Sequence, residues 1–177
     1  IAILTHQDMY YRQGWTDRVK DQLSLLPASW VVAGIIGKDM DGMICGKFQD
    51  MRCPLRFNTS HVHEFPHPVC CFDECCLIIN IKSGFRFDES FEGFDLYGTL
   101  VVLQAWEMKG EAWVIDAYAE HYCMRPFSWV PGQLFIDNYK LLHDRFKKIE
   151  SGRRLDSTAI GLPREVVDQI AFMTSAA

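Results

Sequence analysis

Two side chains that could bind a metal ion, His6 and Asp8, lie near the start of the sequence. The apolar run before them stops abruptly, which predicts a buried strand over residues 1–8 that ends in an exposed His-x-Asp. In an extended segment the one-residue spacing lets both side chains point to one side. Ligands of α/β proteins bind where parallel strands end, so the pair is a candidate binding site. An ordinary strand end with polar side chains in water accounts for the same residues.

The composition predicts one globular domain over residues 1–177, in which residues 134–177 form a C-terminal helical segment. With 177 residues, 49% of them hydrophobic, the chain can bury a sizeable core. No apolar run reaches the roughly 18 residues of a membrane span, and the net charge of -5 argues against a nucleic-acid partner. We expect a cytoplasmic protein without a transmembrane segment. Because Ile1 is neither an initiator Met nor part of a signal peptide, we also expect an upstream segment.

Five of the seven cysteines lie in one part of the sequence with three histidines, namely Cys53, His61, His63, His67, Cys70, Cys71, Cys75 and Cys76. A zinc site, a set of disulfides and plain packing of reduced thiols are all compatible with this cluster. Zinc sites usually contain C-x2-4-C pairs, whereas here two Cys-Cys pairs flank three residues inside an apolar run. Buried reduced cysteines are therefore the favoured interpretation.

Hydrophobic periodicity predicts a mixed sheet flanked by helices. The predicted helices cover residues 16–26, with Thr16 as a capping residue, and residues 96–109, 134–149 and 164–173. The predicted strands cover residues 30–36, 43–45, 68–81 and 113–119, the last of which delivers Glu120 and His121 at its end. Residues 46–67 are predicted to be a long surface loop.

The order of several short motifs resembles the family 2-like glycosyltransferases, in particular their streptomycin-biosynthesis-type group. These motifs are the strand with His6-Gln7-Asp8, then Phe-Arg-Phe-Asp-Glu at 85–89, Gly-Phe-Asp-Leu-Tyr at 93–97, Leu-Gln-Ala at 103–105, and a late His121. The group has an HQDV segment, a stretch of the form FDE-F-GFHFYD-D-CLQA, and a late His. The resemblance covers roughly residues 1–125 and depends on order and spacing more than on any one motif.

The resemblance implies a GT-A-like mixed sheet that lacks its N-terminal nucleotide-binding βαβ part. It also implies a nucleotide-diphosphate-sugar donor, a divalent cation (Mn or Mg), a carbohydrate or other hydroxyl acceptor, and inversion at the transferred sugar. His6, Asp8 and His121 would be the metal ligands, and Asp8 would also contact the donor diphosphate. Asp95 would be the catalytic base.

Further residues could contact the substrates. Asp73 and Glu92 are the neighbouring acids, alternatives to Asp95 as base and candidates for acceptor binding. The pair Asp73-Glu74 interrupts an apolar stretch, where a carboxylate needs a cleft or a hydrogen-bonded partner. Trp129 lies in a predicted loop and could stack on the acceptor. Arg125 could bind a diphosphate as a bidentate donor or pair with a carboxylate.

Two observations favour other interpretations. Relatives continue with YD-D, whereas residues 97–100 read Tyr-Gly-Thr-Leu and lack both carboxylates. This departure favours a non-catalytic glycosyltransferase-like module that binds sugars or assembles with other proteins. Asp95 before a predicted helix also fits an N-cap, and His121 also fits an ordinary strand-end histidine.

Overall fold

A computed structural model describes residues 1–51, 64–93, 95–122, 132–149, 153, 154 and 156. The strands in chain order are β1 (Ala2–Thr5), β2 (Met9–Tyr10), β3 (Trp30–Gly34), β4 (Ile36–Lys38), β5 (Ile44–Gly46), β6 (Phe48–Asp50), β7 (His67–Pro68), β8 (Cys71–Phe72), β9 (Cys76–Ile79), β10 (Glu111–Val114) and β11 (Ala119–His121). The helices of the described residues are α1 (Trp15–Leu23), α2 (Tyr97–Glu107) and α3 (Gln133–Phe146), and Ile81–Ser83 form a 3-10 turn. The protein is therefore mixed α/β.

The strands form three sheets. The largest has the order β1-β9-β3-β10-β7, and within it only β3 and β10 run parallel. A second sheet has the order β2-β11-β6, with β11 parallel to β6, and a third has the order β5-β4-β8. The second sheet contains His121 at the end of β11. The turn between β8 and β9 joins the third sheet to the first.

Strand β9 lies at the centre of the hydrophobic packing. Its alternating side chains divide between two clusters, because Leu77 and Ile79 pack with α2 and α3 while Cys76 and Ile78 pack with α1. Strand side chains alternate between the two faces of a sheet, so an apolar run such as Cys76–Ile79 indicates a strand covered on both faces.

Helix α2 is buried on almost every side and ends in a left-handed turn. Lys109 has a φ of 58°, and the N–H of Gly110 donates to the carbonyl of Ala105 at 2.8 Å, the pattern of a Schellman motif. Lys109 takes the left-handed position of this motif, and position 110 is glycine for a steric reason: an added Cβ would overlap Val31 Cγ2. The predicted stop at this glycine is therefore confirmed, although the helix itself ends at Glu107.

The first strand is not the buried strand of a parallel sheet that the sequence predicts. β1 pairs only with β9, antiparallel, at the edge of the described sheet. Ile3 and Leu4 are each 39% exposed. Apolar residues predict a strand here, but they do not reveal whether a second neighbour covers it.

Three predicted strands are divided between sheets. The chain leaves the first sheet after β3 and enters the third as β4, so residues 30–36 are not one strand. Residues 68–81 hold β8 and β9 in different sheets, with a turn at Asp73 and Glu74. Likewise β10 and β11 replace the single strand predicted over 113–119, so His121 ends a strand of its own. Periodicity alone does not show such changes of sheet.

The remaining differences concern ends and loops. Helix α1 begins at Trp15 after the left-handed Gly14, so Thr16 is not its cap, and it ends at Leu23 rather than Leu26. The predicted loop over 46–67 contains β6 and the start of β7. Helix α3 covers Gln133–Phe146 instead of 134–149. The helix predicted over 164–173 lies outside the described residues.

Candidate functional site

His6, Asp8 and His121 come together where the first and second sheets meet. The N–H of His6 donates to the carbonyl of Cys75 at 3.0 Å, which extends the ladder between β1 and β9 by one residue. The carbonyl of Asp8 accepts from the N–H of Tyr122 at 2.9 Å, which extends the ladder between β2 and β11. The His-x-Asp segment is thus the link between two sheets, and both ladders hold its backbone in place.

One possible ligand atom from each of these three side chains lies within 4.8 Å of the other two. His121 Nε2 and Asp8 Oδ1 lie 3.2 Å apart. Ligand atoms that share one ion with bonds of about 2.1 Å lie roughly 3–4 Å apart, so small side-chain rotations would bring all three to one cation. Two imidazoles and a carboxylate suit Mn²⁺ or another transition ion better than Mg²⁺, which prefers oxygen. The residues therefore fit the predicted cation.

The electrostatics of His6 also suit a ligand. Burial lowers the pKa of His6, and the charge of His121 lowers it further, while the carboxylates of Asp73 and Asp8 act in the opposite direction. A pKa below the ordinary 6.5 leaves the ring neutral at pH 7, and the neutral ring is the form that binds metals.

A second group of acids adjoins His6. The negative charge of Asp73 acts to raise the pKa of His6. Its Oδ1 also accepts the N–H of Cys75 at 3.1 Å, a hydrogen bond that closes the turn after β8. Beside it, Glu74 Oε1 accepts the N–H of Gly98, in the first turn of α2, at 3.2 Å. Burial first, then the charge of Asp73, and least of all the charge of Asp95, raise the pKa of Glu74 to about 8.

Tyr97 connects the metal-capable group to these acids. Its hydroxyl lies 3.3 Å from His6 Nε2 and donates to the backbone carbonyl of Glu74 at 2.9 Å. Burial and the charges of Glu74 and Asp73 raise the pKa of this hydroxyl, which keeps it protonated. Asp95 lies two residues before Tyr97 and is exposed. The cap position of α2 is Leu96, with φ 71° and no side-chain cap, so the N-cap alternative for Asp95 is wrong.

The other predicted residues are placed differently. Glu92 is exposed, and its backbone carbonyl is tied to α3 by Asn138 Nδ2 at 2.6 Å. Arg125 and Trp129 lie outside the described residues, as do Cys53, His61 and His63. The five described cysteines are free and buried: Cys45, Cys70, Cys71, Cys75 and Cys76. Within the described part of the chain no metal-capable group contains a cysteine or His67.

Two contributors to the site, Tyr97 and Asp50, escaped sequence reasoning, and the partner of a third, Glu74, was not predicted. Glu74 is a neighbour of a predicted acid, but nothing in the sequence indicates that it reaches α2. Tyr97 lies in a quoted motif without any assigned role. Asp50 belongs to the predicted loop; its Oδ2 lies 3.8 Å from His121 Nδ1, and its side chain is only 5% exposed. The three-residue strand that carries it is too short for a periodic signal.

No protein-family model matches the chain, and no curated protein matches it either. In the described residues no helix is long and apolar enough to cross a membrane. The chemical arrangement of the site therefore carries the functional argument.

Proposed function

We propose that this protein is a metal-dependent glycosyltransferase of the GT-A type that moves a sugar from a nucleotide-diphosphate donor to a hydroxyl acceptor with inversion. The observation that carries the proposal is the convergence of His6, Asp8 and His121, three residues from distant parts of the sequence, on one possible cation position. The order of motifs that resembles the family 2-like glycosyltransferases supports the same assignment.

Glycosyl transfer requires charge neutralisation on the departing diphosphate. A bound divalent cation supplies that charge neutralisation. His6, Asp8 and His121 would hold it, and the two backbone ladders described above would keep the three side chains at the meeting of the sheets. Preorganised ligands of this kind need no reorganisation during the reaction.

The acceptor hydroxyl must also lose a proton. We assign this role to Asp95, which is exposed and lies at the start of α2, beside the acidic turn of Asp73 and Glu74. A base of this kind typically contributes about 10²- to 10⁴-fold in rate. Glu74, with its raised pKa, is the neighbouring group that could take part in proton transfer, and Asp73 would orient the acceptor.

A second candidate function is a non-catalytic module of the same fold, and the environment of residues 98 and 100 favours it. An added Cβ at Gly98 would overlap the carbonyl oxygen of Phe72, and Leu100 is buried in the core. Position 98 has no room for a side chain, and a carboxylate at position 100 would be buried among apolar residues at a high desolvation cost. However, Glu74 Oε1 lies 3.3 Å from the point where a Cβ at residue 98 would be, so an acid from the preceding turn is present at the same place. This compensation leads us to prefer the enzyme.

Calorimetric titration with UDP- and GDP-sugars, with and without Mn²⁺, tests the proposal. We expect one of these donors to bind only when Mn²⁺ is present, and the Asp8→Asn variant to lose this binding. Asp17→Asn is the matched control, because Asp17 is an exposed carboxylate on α1 that pairs with Lys20. Donor binding that survives Asp8→Asn, or that ignores Mn²⁺, would contradict the proposal. Sugar binding without nucleotide or cation would identify the module.

A further inference from the structure

We infer that Asp50 and Tyr97 are positioning residues that fix the two imidazoles of the metal group in opposite tautomers. In this arrangement His6 binds the cation through Nδ1, and His121 binds it through Nε2. The inference rests on the metal site of the proposed function and assigns the residues that orient its ligands. Metal-bound histidines usually donate their second ring N–H to such a partner, which selects the tautomer and sets the ring angle.

Asp50 faces the far side of the His121 ring. In the parallel ladder between β6 and β11, Asp50 is the register partner of His121, so the two side chains leave the same face of the second sheet. Asp50 Oδ2 lies 3.8 Å from Nδ1, whereas Nε2 on the opposite side of the ring lies 3.2 Å from Asp8 Oδ1. The 3.8 Å separation is roughly 0.6 Å beyond hydrogen-bond range, a gap that a small ring rotation closes.

The surroundings of Asp50 restrict how its carboxylate and the His121 ring can be arranged. Its side chain is 5% exposed, and a buried carboxylate is costly unless a hydrogen-bond donor or positive charge accompanies it. Phe48, two residues earlier on the same face of β6, lies against the His121 ring with centroids 5.9 Å apart. The ring is therefore supported on one side by an aromatic face and at Nδ1 by a carboxylate, which leaves Nε2 directed at Asp8.

The hydrogen bonds of the Tyr97 hydroxyl determine which nitrogen of the His6 ring carries the proton. A phenol has a single O–H donor, and Tyr97 gives it to the backbone carbonyl of Glu74 at 2.9 Å. Its oxygen can then only accept from His6 Nε2, 3.3 Å away, so Nε2 carries the proton of the neutral ring. In this tautomer the lone pair of the ring is on Nδ1, the nitrogen that we assign to the cation. The two histidines thus reach one ion through different nitrogens, which limits the cation to one position.

Titration of Mn²⁺ alone against the whole chain measures the effect on affinity. We expect Asp50→Leu to weaken Mn²⁺ binding by about 10- to 100-fold, as is typical for partners behind a ligand, and Asp50→Asn, which keeps an oxygen acceptor, to lose less. Tyr97→Phe should weaken it several-fold. Asp116→Asn is the matched control, because it removes another mostly buried carboxylate that faces Arg18 and Lys47 instead of a histidine. Its Mn²⁺ affinity should equal that of the wild type.

Two-bond proton–nitrogen correlation spectra of the protein loaded with diamagnetic Cd²⁺ give a second readout that a merely structural role would not change. We expect Cd²⁺ on Nδ1 of His6 and on Nε2 of His121 in the wild type, and mixed nitrogen use by His121 in Asp50→Asn. The reverse assignment would overturn the inference, even if Asp50→Leu failed to fold. Wild-type binding with unchanged affinity in Asp50→Asn, Asp50→Leu and Tyr97→Phe would also overturn it while the metal site stands. Absence of any Mn²⁺ or Cd²⁺ binding would overturn both the inference and the site.

Discussion

Glu74 Oε1 accepts the backbone N–H of Gly98 at 3.2 Å, and this bond places the acid of the β8–β9 turn on the first turn of α2. The N–H groups of a first helical turn have no partner inside the helix. The hydroxyl of Tyr97 returns to the carbonyl of Glu74 at 2.9 Å, so the turn and the helix are joined in both directions. Asp95 lies two residues before the start of this helix.

The raised pKa of Glu74 makes the stability of the fold depend on pH. A folded pKa of about 8 against an ordinary 4.5 means that the folded state holds the proton more tightly than the unfolded chain does. Stability therefore falls as the pH rises from about 4.5 to about 8, and below this window the group contributes no penalty. Glu74→Gln keeps an acceptor for Gly98 but cannot ionise. We expect the variant to lose this pH dependence and to be the more stable protein at pH 9.

Urea unfolding at pH 4, 6.5 and 9 checks this expectation. The quantity to compare is the difference in unfolding free energy between wild type and Glu74→Gln, since other groups titrate equally in both proteins. Asp73 and Asp95 are unchanged in the variant, so their own titration is present in both proteins. A difference that stays constant from pH 4 to 9 would mean that Glu74 titrates normally in the folded protein.

Gly98 is required for steric reasons. Its backbone approaches Phe72 so closely that an added Cβ would overlap the carbonyl oxygen of Phe72, and both β8 and most of α2 are buried. We expect Gly98→Ala to destabilise the fold by about 2–3 kcal/mol, the usual cost of overpacking a tight site. Thermal and urea unfolding measure this cost. Gly132→Ala is the control, because no atom of the described residues lies within 4 Å of its added Cβ, and it should change stability by much less.

The sequence predicts the components of this site better than their connections. Apolar periodicity and an abrupt polar stop are enough to place His6 and Asp8 at a strand end, and the motif order led to His121. The convergence of all three depends on two ladders that each extend by a residue beyond β1 and β2. No local pattern specifies such an extension.

The changes of sheet were not predictable for a related reason. Residues 30–36 are predicted to be one strand, yet the chain leaves the first sheet after Gly34 and continues in the third from Ile36. Periodicity reports which side chains are buried, not which strand lies beside them. For the same reason β6 was predicted to be a loop, and Asp50, which lies behind a predicted ligand, had no signal in the sequence.

Asp116 should stabilise the protein at neutral pH and not in acid. Burial alone would raise the pKa of its carboxyl, but hydrogen bonds and charges from Lys47, with Nζ at 2.8 Å, and from Arg18 lower it instead. A lowered folded pKa gives stability that is present above the unfolded value of about 3.9 and is lost as the pH falls through the folded value.

The corresponding experiment compares Asp116→Asn with wild type by urea unfolding at pH 7 and pH 2.5. Because both cations are about half exposed, we expect a loss of about 1 kcal/mol at pH 7 that shrinks toward zero in acid. Asp17→Asn, on the exposed surface of α1, should have almost no effect at either pH. An equal loss for Asp116→Asn at both pH values would show that packing, not charge, is responsible.

Asp95→Asn separates proton removal from metal binding. The variant keeps the size of the side chain and leaves His6, Asp8 and His121 intact, so its Mn²⁺ affinity should equal that of the wild type. If Asp95 removes the acceptor proton, kcat for nucleoside-diphosphate release in the presence of acceptor should fall by about 10²- to 10⁴-fold. Glu89→Gln, an exposed acid earlier in the same segment, is the control and should retain full activity. An unchanged kcat in Asp95→Asn would move the base to Glu74, Asp73 or Glu92. Loss of Mn²⁺ binding in Asp95→Asn would instead make this carboxylate part of the cation site.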